Sequence, residues 1–269
     1  SSDWAAERIS LLNLWDVVLR LCGLGREAPR TYAKRYFYPK QGIGQIFEYS
    51  AMEIKQNGSN IILNARFKTL LLEGDRVKGV IYETNGKDQV INCDWVISTI
   101  PVTDLICMPD RGVGYQDVST AISSLRYRSL RFLNILIDKA EIGRNTWTYI
   151  PDGKYIMTRI QEPNKRSPHN APDGKTSLML EIPCSYKGEI WNMQDDLLFS
   201  RCIDDLFKLG IDIKDRVIDY FYTAERHAYP IYHLDYKHLL NNLLSRVDSI
   251  ENIHTCGRNG LFRYIFMDR

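Results

Sequence analysis

Two closely spaced turn signals constrain this chain more tightly than any other feature in it. Glu73-Gly74-Asp75 and Asn85-Gly86 consist of residues that accept the backbone angles of tight reversals, and Asn-Gly is favoured in two-residue hairpins. They divide residues 60–72, 76–83 and 89–93 into three predicted strands. A short apolar strand follows, Asp94-Trp95-Val96-Ile97-Ser98-Thr99, and Pro101 ends it.

Elsewhere the pattern alternates between helical and extended. Ile9, Leu12, Trp15, Val18 and Leu19 recur at helical spacing, and Gly23 and Gly25 stop that helix. A second helix is predicted over 44–56, with Ile46, Phe47, Ala51 and Ile54 on one face and Asn57-Gly58 ending it. Residues 132–137, 147–150, 155–160, 177–182 and 217–223 read as strands, with a polar, Pro-containing loop over 162–175. A helix over 193–209 separates the last two strands; 234–247 reads as a helix and 252–256 as a short strand. Strands in two blocks separated by helices predict an α+β fold with mixed sheets, not a regular βα array. One sheet, built from 132–182 and 217–223, is expected to carry Trp147 and Tyr155.

Bulk properties narrow the function classes. A chain of 269 residues is expected to form two lobes. A net charge of +2 gives no reason to expect nucleic acid or membrane binding. No apolar run approaches the ~18 residues that span a bilayer, and the first residues, Ser1-Ser2-Asp3-Trp4, lack signal-peptide character. Six cysteines stand far apart with no CxxC pair, which reads as free thiols in a reducing compartment, the cytoplasm.

Most motifs that resemble chemistry have plainer readings. Gly23-Leu24-Gly25-Arg26-Glu27-Ala28 fits a GxGxxA spelling, but a helix precedes it and Pro29 follows, the reverse of a phosphate-binding context. Gly112-Val113-Gly114 reads as a loop. Pro39-Lys40-Gln41-Gly42-Ile43-Gly44 leads straight into an amphipathic helix, a geometry that suits either a plain turn or close backbone approach to a ligand. His227, His233 and His238 lack zinc-helix spacing, so no metal site is expected. Asp195-Asp196 and Asp204-Asp205 read as a solvated helix face. No catalytic residue can be picked from single positions.

Taken in order, several segments resemble one family. Trp4-Ala5-Ala6-Glu7-Arg8-Ile9 is similar to the helix that follows the first βαβ region of FAD-dependent amine oxidases, protoporphyrinogen oxidases and phytoene desaturases. The run from Tyr36 to Glu48 resembles their Pro-x-x-Gly-x-Gly turn and helix, and Asn64 to Val80 with Asp94 to Pro101 resembles their adenine-side meander. The run from Cys256 through Gly257, Arg258 and Tyr264 to Met267 and Asp268 is similar to their closing flavin motif. Arg159 to Pro163 and Ala228 to Tyr232 resemble the branch of UDP-galactopyranose mutase and bacterial protoporphyrinogen oxidase-like proteins.

The resemblance implies roles by position. The backbone at Phe67 would pair with the adenine edge, and Thr99, Ile100 and Pro101 would pack near the ADP half. Gly257 and Arg258 would approach the pyrophosphate and flavin, and Met267 and Asp268 would begin a helix facing the flavin pyrimidine. Tyr232 and Tyr264 would border the substrate, or serve only as packing. Residues 41–119 and 236–269 would form a partial, Rossmann-like FAD lobe, and 1–40 with 120–235 a substrate lobe around a mixed sheet.

The implied activity is hydride transfer from a small organic substrate to flavin. One alternative is a UDP-galactopyranose mutase-like enzyme of cell-envelope polysaccharide (lipopolysaccharide) synthesis, with a nucleotide sugar as substrate and Arg126, Arg128 or Arg131 as phosphate ligands. Another is a non-catalytic scaffold without cofactor. The sequence departs from the family in having no strand followed by GxGxxG and in stopping at Arg269. It therefore reads as a fragment, expected by itself to bind FAD weakly or not at all and to be inactive.

Overall fold

A computed structural model describes residues 37–106 and 115–265. The helix read over 4–24, the glycine patterns at 23–28 and 112–114, and Met267 and Asp268 lie outside the described residues. Helix α1 (Gly44–Gln56) comes first, then strands β1 (Arg66–Glu73), β2 (Arg76–Thr84), β3 (Lys87–Asn92) and β4 (Val96–Ser98). Helices α2 (Val102–Leu105) and α3 (Tyr115–Ser124) lead to β5 (Tyr127–Ile137), β6 (Trp147–Tyr149), β7 (Arg159–Gln161) and β8 (Thr176–Cys184). Helices α4 (Glu189–Asn192) and α5 (Asp195–Lys208) precede β9 (Val217–Pro230), and α6 (Tyr236–Asp248), β10 (Ile253–Thr255) and α7 (Gly257–Gly260) follow. The fold is α+β.

The chain divides into two compact units, Ser1–Tyr36 with Ile62–Arg126 and Tyr229–Arg269, and Phe37–Ile61 with Tyr127–Ala228. Helix α1 thus groups with the second unit, whereas the sequence reading joined it to 62–119. Local bonds account for the difference. Ser167 Oγ donates to Lys40 O at 2.5 Å, and the Arg166 guanidinium lies 5.8 Å from the Tyr38 ring centre.

In the first unit, β1, β2 and β3 form an antiparallel sheet in sequence order. Its second turn has Asn85 at φ 51° and Gly86 at φ 72°, the paired positive angles of a type I′ hairpin. β4 and β10 pair in parallel. On α6, Tyr236, Leu240, Leu243 and Val247 are buried, the i, i+4, i+7 spacing of one helical face. That face packs on α3, α2 and β10.

The second unit is a sheet in the order β6-β7-β8-β5-β9. The pairs β6–β7, β7–β8 and β8–β5 are antiparallel, and the parallel pair β4–β10 belongs to the first unit. Leu133, Ile135 and Ile137 of β5 and Leu178, Leu180 and Ile182 of β8 alternate onto one face and pack with Leu198, Cys202 and Leu206 of α5. Burial of each such aliphatic side chain stabilises by about 1.5–3 kcal/mol. Arg131 is buried on the same side. Its Nη1 donates to Ile190 O at 3.1 Å and Met193 O at 2.7 Å, and its Nη2 pairs with Asp195.

Some local expectations fail for identifiable reasons. The strand read over 155–160 shrinks to β7, because Tyr155 N donates to Asp152 O in a turn and Ile156 N donates to Asp205 Oδ2 on α5. Tyr155 is therefore off the sheet, while Trp147 lies on β6. The same bond corrects the reading of Asp205 as solvated: it is 4% exposed. The strand read from residue 60 begins at Arg66, after Asn64 turns at φ 53°.

Candidate functional site

The parallel register pairs Val96 with Ile253, Ile97 with His254 and Ser98 with Thr255. Parallel strands finish at the same edge, so the turns that leave them converge there. Cys256 N donates to Ser98 O at 2.9 Å. Thr99 and Ile100 lead to Pro101, whose carbonyl accepts from Asp104 N and Leu105 N at 2.9 and 3.0 Å and so starts α2.

The turn after β10 depends on two glycines. Gly257 has φ +75°, with no described residue within 4 Å of where a side chain would stand; only glycine adopts that angle without strain. Gly260 needs its missing side chain for a different reason: a Cβ there would sit 3.2 Å from Ser98 O and 3.7 Å from Ile100 O. Thr99, Ile100 and Pro101 are thus brought together with Gly257 and Arg258.

Arg258 is fixed by backbone and rings. Its Nε and Nη2 donate to Ile265 O at 3.1 and 2.8 Å, and its guanidinium lies 5.3 Å from the centres of both the Tyr229 and Tyr264 rings. Each such stacking is worth about 0.5–2 kcal/mol. Tyr232 OH accepts from Tyr264 N at 2.8 Å, and the Tyr232 ring stacks on Tyr236 at 4.3 Å. Arg258, Tyr232 and Tyr264 therefore form one cluster beside the glycine turn.

The remaining positions lie elsewhere. Phe67 is half-buried on β1 opposite Tyr82, where the ladder slips between Phe67 and Thr69. Arg128 is an exposed residue of β5 in the second unit. Arg131, weighed as a phosphate ligand, is instead buried and bonded within its own unit. Reactive thiols are not offered by the second unit, since burial raises the Cys184 thiol and pushes Cys202 up to about 12.

Two residues of the first unit carry weight that their sequence context did not signal. Asn252, fully buried, bonds through its side chain to Val77 and Asp94 and so joins the meander to the parallel pair. Ser98, 6% exposed, has no hydrogen-bond partner for its Oγ among the described residues. Among the described residues, a backbone turn with open space at Gly257 and an unsatisfied buried hydroxyl at the adjoining strand end fit a polar ligand approaching the main chain. FAD is such a group, with its phosphates and ribityl hydroxyls.

A family model described as flavin containing amine oxidoreductase matches residues 17–257. No curated protein sequence matches. Among solved structures, reduced UDP-galactopyranose mutase superposes with a TM-score of 0.72 at 19% identity, covering 97% of this chain and 55% of that one. A protein assigned as a protoporphyrinogen oxidase from Exiguobacterium sp. 255-15 gives 0.61 at 16% identity, covering 83% of this chain and 49% of that one. An oxidoreductase from Methanosarcina mazei gives 0.57 at 15%, covering 82% and 50%. The chain spans about half the length of these structures, and at these identities the likeness concerns the fold.

Proposed function

We propose, because this chain belongs to the flavin containing amine oxidoreductase family, that the protein binds FAD and passes hydride from an organic substrate to it. The carrying observation is the convergence of the β4 and β10 ends at the Gly257–Gly260 turn. The first unit is then the FAD lobe and the second the substrate lobe. Thr99, Ile100 and Pro101 flank the ADP half, with the backbone at Phe67 for the adenine edge. Gly257 lets the main chain come close, Arg258 supplies a positive charge held in place by Ile265 O, and Met267 and Asp268 address the flavin. Tyr232 and Tyr264 exclude water at the substrate border. When bound, the flavin supplies the hydride acceptor.

A second reading is a mutase acting on a nucleotide sugar in cell-envelope polysaccharide synthesis. A fold shared with a UDP-galactopyranose mutase over 97% of this chain is compatible with it, and the exposed Arg128 is then the phosphate ligand to test. No helix among the described residues is long and apolar enough to cross a membrane. Free Cys93, Cys184, Cys202 and Cys256 accord with a reducing compartment, the cytoplasm.

Purification of the protein with its natural flanking sequence tests both readings. A yellow protein with flavin absorbance supports the FAD assignment, and a folded protein that stays colourless after incubation with FAD contradicts it. Turnover of UDP-galactopyranose only under reducing conditions selects the mutase. Oxygen consumption with a porphyrinogen or an amine selects the oxidase.

A further inference from the structure

In the short strand β4, Ile97 is 73% exposed and Ser98 6%, so successive side chains take opposite sides. The Ser98 carbonyl is engaged with local structure: it accepts from Cys256 N at 2.9 Å and lies 3.2 Å from where a Cβ at Gly260 would stand, a tight contact. Its hydroxyl is the opposite case, a buried Oγ without a partner among the described residues. Buried polar groups are nearly always paired, and an unpaired one costs stability. Neither the pairing of β4 with β10 nor the burial at this position needs an oxygen; an alanine would serve both. The residue itself borders the turn: its carbonyl accepts from Cys256 N, next to Gly257, which holds φ +75° with no described residue within 4 Å of its Cβ position.

We infer that the Ser98 hydroxyl is a cofactor-binding group, which gains its missing hydrogen bond from a polar atom of bound FAD. This rests on the flavin reading of the same turn. A binding hydroxyl left unsatisfied without ligand has a signature that a structural hydroxyl lacks: its removal stabilises the free protein and weakens the complex.

The experiment compares the unsubstituted protein, with its natural flanking sequence, with Ser98→Ala and Ser98→Thr. Thermal unfolding without FAD and titration with FAD by quenching of flavin fluorescence are both recorded. Ser98→Ala is expected to raise the melting temperature of the FAD-free protein by about 2–4 °C. It is also expected to weaken FAD binding about tenfold, equivalent to about 1.4 kcal/mol. Ser98→Thr, which keeps the hydroxyl, is expected to restore most of the affinity. A lower melting temperature for Ser98→Ala overturns the inference, because the hydroxyl is then satisfied within the protein. A raised melting temperature with unchanged FAD affinity also overturns it, while leaving the flavin reading intact. If the unsubstituted protein takes up no FAD, the flavin reading fails and the inference falls with it.

Discussion

The side-chain amide of Asn252 meets the backbone of Val77 as a neighbouring strand would. Its Oδ1 accepts from Val77 N at 2.8 Å and its Nδ2 donates to Val77 O at 2.9 Å, across 175 residues of sequence. The same Nδ2 donates to Asp94 O at 2.5 Å, and the Asn252 carbonyl accepts from Val96 N at 3.0 Å. One residue thus registers the start of β2, the approach to β4 and the start of β10. It fixes the strand whose end carries the glycine turn.

Asn252→Ala should destabilise the protein by about 2–5 kcal/mol, because Val77 N and O are left buried without partners at about 1–3 kcal/mol each. Asn252→Asp should also destabilise, since it keeps the acceptor for Val77 N but turns an oxygen toward two carbonyls. Urea unfolding measures both. A change below about 0.5 kcal/mol, ordinary for a surface position, would show that the amide is not an anchor.

Arg131 and Asp195 should respond unequally although they form one ion pair. The Arg131 side chain is 7% exposed and also donates to Ile190 O and Met193 O, whereas Asp195 is 63% exposed. Arg131→Met removes charge-assisted bonds worth about 1.5–3 kcal/mol each, and a loss of about 3 kcal/mol is expected. Asp195→Asn leaves the guanidinium on its two carbonyls and should cost less than about 1 kcal/mol, as exposed pairs do. Equal losses on denaturant unfolding would contradict the clamp.

Alkaline stability should depend on Cys202. Burial raises its thiol from 9.0 to about 12. The folded state therefore keeps the proton above pH 9, where the unfolded chain releases it. The stability is fully present below pH 9 and is lost as pH rises toward 12, by about 1.4 kcal/mol per pH unit. Cys202→Ala should be less stable at pH 7 through its cavity, yet lose stability more slowly between pH 9 and 10. Parallel pH profiles for the two proteins would rule out the thiol as the source.

Local periodicity and turn chemistry made α1 legible over its full length, and Asn85-Gly86 announced its hairpin because both residues accept positive φ. The sequence could not show that Asp205 would take the amide of Ile156 out of an apparent strand, since that bond spans 49 residues. Asn252 and Arg131 were invisible as anchors for the same reason, their partners lying 175 and 64 residues away. At the candidate site, Thr99 to Pro101, Gly257 and Arg258 stand out by motif. Ser98 does not, because a serine in an apolar strand gives no sign of whether its hydroxyl finds a partner.

The most direct measurement is the affinity for FAD of the protein with its natural flanking sequence, beside that of Gly257→Val. Gly257 holds φ +75° with no described residue within 4 Å of its Cβ position. Valine there strains the turn and puts a branched side chain where the main chain would approach a ligand. By isothermal titration, a dissociation constant at or below about 1 μM, about −8 kcal/mol, is expected for the unsubstituted protein, and at least tenfold weaker binding for the variant. Failure of the folded, unsubstituted protein to bind FAD would contradict the flavin assignment, and equal affinities would show that the cofactor is held somewhere other than the β4–β10 turn.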